Sequence, residues 1–155
     1  MRIGALMIIA VFFFFYPFDQ VLRIKTVKTG RVLLCVRMVE GEEFILSFIH
    51  SVNKRPVYDT IRVKGNDLLI VKSRFDSFGA GMPEGSHIGE DGWLEWHVNR
   101  LVPEVSFFVG WEANHSLCLK GQDIPLARLA EAGTLLCLRI ERASRYELWK
   151  GRCRQ

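Results

Sequence analysis

Apolar and polar residues alternate over short runs through most of this chain, and turn-forming residues separate the runs. A period of two is typical of β-strands that bury one face, so the pattern favours a β-rich fold. The runs RVLLCVRMV and EFILSFIHS flank a polar turn at Glu40–Glu42. This arrangement predicts that the two runs pair as a hairpin.

A second hairpin is predicted further along the chain. Its strands, VYDTIRVK and LLIVKSRF, flank Gly65-Asn66-Asp67, whose residues tolerate the positive φ of tight turns. More strands are predicted in the runs GWLEWHV, EVSFFVGW, HSLCL and TLLCLRIE. Several short strands with turns between them predict an all-β, mainly antiparallel fold, either a β-sandwich or a partly open barrel.

One short helix is predicted in the C-terminal half of the chain, within GQDIPLARLAEAG. Asp123 suits the N-cap, Pro125 suits the first turn, and Gly133 follows the last turn. Leu126 and Leu129 share a face, so the helix is predicted to close one end of the β core.

The N-terminal segment has a different composition from the rest of the chain. A single early arginine, Arg2, precedes an apolar run from Ile3 to Phe15, as in an export signal or a membrane-anchor helix. Tyr16–Phe18 are bulky and offer no small-x-small cleavage site, which favours an uncleaved anchor over a removed signal peptide. The four basic residues after the run oppose an extracytoplasmic orientation, but we expect that orientation because exported domains translocate largely regardless of charge.

We therefore divide the chain into three parts. Residues 1–20 are predicted to be a signal peptide or membrane anchor, residues 28–145 a single β-rich domain, and residues 146–155 a basic tail. The domain is predicted to lie in the periplasm or on the outer face of the cytoplasmic membrane.

Charge and cysteine content restrict the function further. The net charge of +4 is dispersed along the 155 residues, whereas nucleic-acid readers usually concentrate basic charge on one face. We therefore expect no nucleic-acid partner. The four cysteines have no CxxC spacing, so no metal or redox motif of that type is present. One disulfide is possible in an exported domain, but four cysteines allow three full pairings.

The segment FIHSVNKRPVYDT places His50, Ser51, Tyr58 and Asp59 around a proline, between two predicted strands. Strand alternation puts Tyr58 and Asp59 on opposite faces, which opposes a Ser-His-Asp triad because its three groups must converge. We predict a strand-ending corner that presents a surface to a partner. Pro56 presets its backbone, and His50 locks it through a ring hydrogen bond.

A glycine-rich segment, SFGAGMP, follows the second hairpin. Its glycines permit close backbone approach and could direct N–H groups at an anion, but no lysine and no helix start follow, which disfavours a P-loop. A sharp turn is the main interpretation. It adds these residues to the candidate partner surface: Ser77, Phe78, Gly79, Ala80, Gly81 and Pro83.

The four histidines show no HxH or HExxH spacing. A composite zinc site from His50, Asp59 and His115 is an alternative, since imidazole and carboxylate groups suit zinc. A histidine that bonds to the backbone is the commoner arrangement, so we predict no metal and no cofactor, and we place His115 among the candidate partner-binding residues.

Four segments in order resemble one known family. FIHSVNKRPVYD, FDSFGAGMP, DGW and VGWEANHSL are similar to segments of the bacterial and archaeal domain-of-unknown-function family 1850, and the likeness covers roughly Arg31 to Glu141. Asp59 stands where that family more often has glutamate, and Met82 stands where it usually has leucine. The family's residues that match unchanged are His50-Ser51-Val52, Pro56-Val57, Phe78-Gly79-Ala80-Gly81 and Pro83.

The resemblance implies a small exported protein associated with permeases of TAXI-type TRAP transporters. From it we expect a non-catalytic, membrane-associated accessory domain that docks on the permease or on the substrate-binding protein. The membrane contact is expected through the N-terminal segment. The alternatives are a small-ligand or metal-binding module anchored by His50, Ser51, Asp59 and His115, and, less favoured, a hydrolase.

Overall fold

The structure is a computed structural model that describes residues 2–77, 85–151 and 153. Within these residues, the helices are α1 (Arg2–Phe15), α2 (Arg145–Trp149) and a short 3-10 helix (Leu126–Arg128). The strands are β1 (Asp19–Thr26), β2 (Val32–Arg37), β3 (Glu43–Ile49), β4 (Pro56–Lys64), β5 (Asp67–Phe75), β6 (His87–Ile88), β7 (Leu94–Val102), β8 (Val105–Phe108), β9 (Ser116–Leu119), β10 (Gln122–Pro125) and β11 (Leu135–Ala143).

The strands form two antiparallel sheets that share one apolar core. The smaller sheet has the order β2-β1-β11-β8, and the larger has the order β10-β9-β3-β4-β5-β7-β6. Both sheets supply buried side chains to the core, which is the arrangement of a β-sandwich. The predicted all-β, mainly antiparallel fold is confirmed. Core residues from the two sheets include Leu22, Ile24, Leu34, Val36, Leu136, Leu138, Phe44, Leu46, Ile61, Val63, Leu68 and Leu117.

β1 was not anticipated from the sequence, although it lies between β2 and β11 in the smaller sheet. It precedes residue 28, at which the β-rich domain was predicted to begin. Two basic side chains on this strand, Arg23 and Lys25, pair with Glu141 on the neighbouring strand β11. In sequence, Arg23 and Lys25 resemble the charged residues that flank a membrane anchor. For this reason the strand pattern, in which Leu22 and Ile24 alternate with them and are buried, was not recognised.

The predicted hairpin of β2 and β3 is wrong, whereas the hairpin of β4 and β5 forms as predicted. β2 pairs with β1 in the smaller sheet, and β3 pairs with β4 and β9 in the larger sheet. The apolar faces of β2 and β3 enter the same core from opposite sides. The turn at Glu40–Glu42 therefore connects two layers, and Gly41 at its centre has a φ of 79°.

The helix predicted within GQDIPLARLAEAG is wrong over most of its length. Its first part forms β10, which pairs with β9, and only Leu126–Arg128 make a 3-10 turn. The Asp123 carboxylate accepts a hydrogen bond from the Ser116 hydroxyl instead of capping a helix. Leu126 is fully buried, so the residue that suggested a helical apolar face reaches the core from the end of a strand.

A disulfide bond joins Cys35 on β2 to Cys153, which lies beyond α2. It packs in a small apolar cluster with Val21 and Ala143, on the face of the smaller sheet opposite the main core. Residues 146–155, predicted as a basic tail, therefore include part of α2 and one half of this bond. Among the described residues, Cys118 and Cys137 are free thiols.

The described side chains of α1 are apolar and exposed, among them Met7, Ile8 and Phe13. Near the end of α1, the rings of Phe14 and Phe15 contact Tyr146 of α2, with ring centroids 5.9 Å and 5.0 Å away. Within residues 2–77, 85–151 and 153, no helix has the length and apolar content that a membrane crossing requires.

Candidate functional site

The corner at His50 is closed by hydrogen bonds at the point where β3 ends. The His50 N–H donates to the Arg55 carbonyl at 2.9 Å, and the Lys54 N–H donates to the His50 carbonyl at 3.0 Å. The Val52 N–H donates to Nδ1 of the His50 ring at 3.3 Å. The predicted ring hydrogen bond of His50 is therefore confirmed. Lys54 turns the chain with a φ of 55°.

An ion pair joins this corner to the start of the glycine-rich segment. Nε of Arg55 donates to Oδ1 of Asp76 at 3.0 Å, and a second guanidinium nitrogen donates to the other oxygen. Because the carboxylate accepts these bonds, the pKa of Asp76 is below its usual value. Ser77 donates its hydroxyl hydrogen to the same carboxylate at 3.3 Å.

Ser77 is the first residue of the glycine-rich segment, and it lies next to the His50 corner. Both Ser77 and Arg55 of the corner bond to the Asp76 carboxylate. The remaining candidates of the glycine-rich segment lie outside the described residues: Phe78, Gly79, Ala80, Gly81 and Pro83.

Tyr58 and Asp59 point to opposite faces of the larger sheet, as the alternation predicted. Tyr58 pairs with Ser47 and Arg74 on the outer face. Asp59 is on the inner face, where the Ser73 hydroxyl donates to Oδ1 of its carboxylate at 2.5 Å. Burial raises the pKa of Asp59 above its usual value, and the Ser73 hydrogen bond opposes that rise.

His50, Ser51 and Asp59 do not form a catalytic triad in this arrangement. Ser51 is exposed in the corner, the His50 ring accepts a backbone hydrogen bond, and Asp59 bonds to Ser73 on the inner face. All three residues are described, and no hydrogen bond joins any two of them. Pro56 begins β4 opposite Ile49 and fixes the return of the chain from the corner.

His115 has an apolar environment between the two sheets. Its ring stacks on Phe107 with centroids 4.8 Å apart, and Phe48 lies 5.8 Å away on another side. Burial lowers the pKa of His115, so its neutral form is favoured, and Nδ1 accepts the Gly110 N–H at 3.4 Å. The alternative zinc site of His50, Asp59 and His115 is not formed by these described residues.

The outer face of the larger sheet carries a groove of about 710 Å³. Aligned residues of β3, β4 and β5 form its floor, because Ile45 pairs with Thr60 and Thr60 pairs with Lys72. Tyr58 and Trp93 form an edge-to-face pair in its wall, with ring centroids 5.5 Å apart. We call this feature the outer groove. Its other lining residues include Glu43, Arg74, Asp91, Cys118, Lys120 and Gly121.

Arg74 links the parts of the outer groove electrostatically. The carbon at the centre of its guanidinium lies 5.6 Å from the Trp93 ring centroid, within the range of a cation–π interaction. The same guanidinium pairs with Asp91, and its Nε lies 3.1 Å from the Glu95 carboxylate. A rigid aromatic pair beside a fixed arginine is a composition typical of protein interfaces.

Tyr58 was predicted from the sequence as a functional candidate, whereas Arg74 and Trp93 were not. A cluster beside the groove was also not predicted; in it, ligand atoms of His87, Glu95 and His97 lie within 4.8 Å of one another. The sequence signal that could have identified this cluster is the spacing of Glu95 and His97 in a predicted strand, because strand residues two apart lie on the same face. His87 reaches them only through the pairing of β6 with β7.

Comparisons with known proteins give one match. No curated protein and no solved structure matches the chain. The model of one family, described as Domain of unknown function (DUF1850), matches residues 44–126, which are just over half of the 155 residues. The matched range contains the His50 corner, the cluster beside the outer groove, and every lining residue of that groove except Glu43. The chain therefore belongs to the domain-of-unknown-function family DUF1850.

Proposed function

We propose that this protein is a non-catalytic, membrane-associated accessory domain of a TAXI-type TRAP transporter, and that it docks on the permease through the outer groove. The observation that carries the proposal is the wall of this groove, where Tyr58, Trp93 and Arg74 stand together on one sheet face. Aromatic and arginine side chains of this kind account for much of the binding energy at protein interfaces.

The continuity of the surface around this groove supports the proposal. The Arg55–Asp76 ion pair holds the His50 corner against the start of the glycine-rich segment. Tyr58 follows Pro56 by two residues, so the strand that leaves this corner also supplies the groove wall. A partner that occupied the groove would therefore also reach the corner.

An extracytoplasmic location is supported by the Cys35–Cys153 disulfide bond. Structural disulfides persist in oxidising compartments and are rare in the reducing cytosol. We propose that α1 holds the domain at the membrane, since its described side chains expose an apolar surface that water solvates poorly. Confinement to the membrane of the permease would raise the effective concentration of the two partners, so that a groove of modest size suffices.

Co-purification tests this function directly. The tagged full chain is expressed with the permease in one host, membranes are solubilised in mild detergent, and the permease that elutes with the chain is quantified. We expect Tyr58→Ala and Trp93→Ala each to reduce the permease recovered by at least about tenfold, as for interface residues that contribute 1.4 kcal/mol or more.

Phe108→Ala is the matched control, because Phe108 is an exposed aromatic residue on the smaller sheet, 63% accessible to solvent. This variant should recover as much permease as the parent chain. Circular dichroism shows whether the groove variants keep the native fold. The proposal is refuted if the parent chain recovers no permease, or if folded groove variants recover as much as the control.

A further inference from the structure

A compact group of metal-binding side chains lies on the hairpin of β6 and β7. His87 is directly opposite Glu95 in this hairpin, and His97 lies two residues after Glu95 on the same face of β7. The two imidazole rings stack with centroids 5.0 Å apart and an interplanar angle of 16°. One hairpin thus brings three potential ligands together over eleven residues.

The hairpin turn fixes the spacing of these ligands. The Gly89 N–H donates to the Trp93 carbonyl at 2.7 Å, and the Asp91 carboxylate accepts the Trp93 N–H at 3.2 Å. Gly92 completes the turn with a φ of 81°, a conformation that favours glycine. The register of β6 on β7 is therefore set locally, within a few residues of the ligands.

The chemistry of the three side chains suits a divalent transition metal. Two imidazoles and one carboxylate are common zinc ligands, at about 2.0–2.2 Å from the ion. The ligand atoms of a tetrahedral ion at that distance are about 3.4 Å apart. The ligand atoms here lie within 4.8 Å of one another, so small rotations of the two exposed histidine side chains toward the half-buried Glu95 would bring them together.

The Glu95 carboxylate has a cationic partner, with which a metal would compete. Nζ of Lys72 donates to both carboxylate oxygens, at 2.9 Å and 3.0 Å, and Arg74 lies on the same side. A metal ion at this position would therefore have to displace the Lys72 ammonium group from at least one of the two carboxylate oxygens. A bound ion would replace the positive charge of Lys72.

We propose that His87, Glu95 and His97 bind one divalent transition-metal ion of the zinc type. Three protein ligands leave at least one coordination position open to water or to a group from a partner. The site lies beside a surface hollow that is also lined by Arg74 and Asp91, two residues of the outer groove. The metal site thus extends the recognition surface, but its existence does not depend on the permease.

Isothermal titration of the purified full chain with zinc chloride tests this proposal. The chain carries a purification tag without histidine and is held in mild detergent. Cys118 is replaced by serine in every sample, because it is an exposed free thiol that could bind zinc independently. We expect one zinc ion per chain, and we expect His97→Gln and Glu95→Gln each to weaken binding by about tenfold or more.

Two further variants separate this site from unspecific binding. His50→Gln, which removes a histidine outside the cluster, should leave zinc affinity unchanged. Lys72→Met should strengthen zinc binding, because it removes the ammonium group that occupies the Glu95 carboxylate. Near-ultraviolet circular dichroism of each variant identifies any loss of the fold.

The outcomes are distinct. Absence of saturable zinc uptake by the folded parent chain overturns the proposal. So does equal affinity of the parent chain and the folded His97→Gln variant, or a loss of affinity in His50→Gln alone. Because no permease is present in this titration, its result is independent of the co-purification test.

Discussion

Replacement of both Cys35 and Cys153 by alanine should lower the free energy of unfolding substantially. The bond links positions separated by 118 residues, and it connects β2 to the segment beyond α2. In the chain-entropy model, a loop of this length contributes about 4.9 kcal/mol, whereas measured losses of native disulfides are typically 2–5 kcal/mol. Alanine is the suitable replacement because Cys35 is only 4% exposed, and serine would bury an unpaired hydroxyl there.

Urea unfolding followed by tryptophan fluorescence measures this loss. With an m-value of about 2 kcal/mol/M, a loss of 2–5 kcal/mol moves the midpoint down by roughly 1–2.5 M. The wild-type chain in reducing agent should approach the midpoint of the double variant. Reducing agent should not shift the variant itself, because Cys118 and Cys137 are already free. Equal midpoints for the oxidised wild type and the double variant would refute this reasoning.

Three other substitutions test individual contacts. Burial raises the pKa of Asp59, so the folded wild type loses stability as the pH rises from about 3.9 through that raised pKa. Asp59→Asn keeps an acceptor for Ser73 and should raise the urea midpoint at pH 7 but not near pH 4; a lower midpoint at pH 7 contradicts this. Glu141 is 19% exposed and pairs with Arg23 and Lys25, so Glu141→Gln should cost about 2 kcal/mol of unfolding free energy. The exposed pair of Glu43 and Arg62 provides the control, since Glu43→Gln should cost under about 1 kcal/mol. Gly110→Ala should lower the melting temperature, with a cost of about 1–3 kcal/mol, because the new Cβ would lie 2.9 Å from the Ala113 Cβ; an unchanged melting temperature would show that the loop shifts freely.

The hairpin of β4 and β5 was predictable because its information is local. Gly65 and Asn66 form a turn between two runs of suitable length, Asp67 begins the second strand opposite Lys64, and the two runs pair with each other. The connection between β2 and β3 looks similar in sequence, but its strands belong to different sheets. Alternation identifies which residues of a strand are buried, yet it does not identify the layer that contains the strand. The choice of layer depends on β1, which pairs with β2 on one side and with β11, a strand remote in sequence, on the other.

The candidate site was predictable to a similar degree. The closed corner and the ring hydrogen bond of His50 follow from residues within one short segment. The outer groove requires the register of three strands, and a register shift between Thr60 and Ile61 changes that register within β4 and β5. Lys72 consequently pairs with Thr60, which sequence spacing alone does not reveal. The Cys35–Cys153 bond could not be predicted either, because the positions of four cysteines in a sequence do not specify which of them pair.

The position of β1 has a consequence for how the protein acquires its structure. β1 pairs along its whole length with β11, so Asp19 lies opposite Ala143. Pairings between such remote segments form slowly, because a long loop must close before any favourable contact is made. β1 and β2 are adjacent in sequence and can pair early, but the smaller sheet can be completed only after almost the entire polypeptide has been synthesised. A nascent chain that ends before Leu135 should therefore stay sensitive to protease, and protection should arise abruptly when the last strand becomes available.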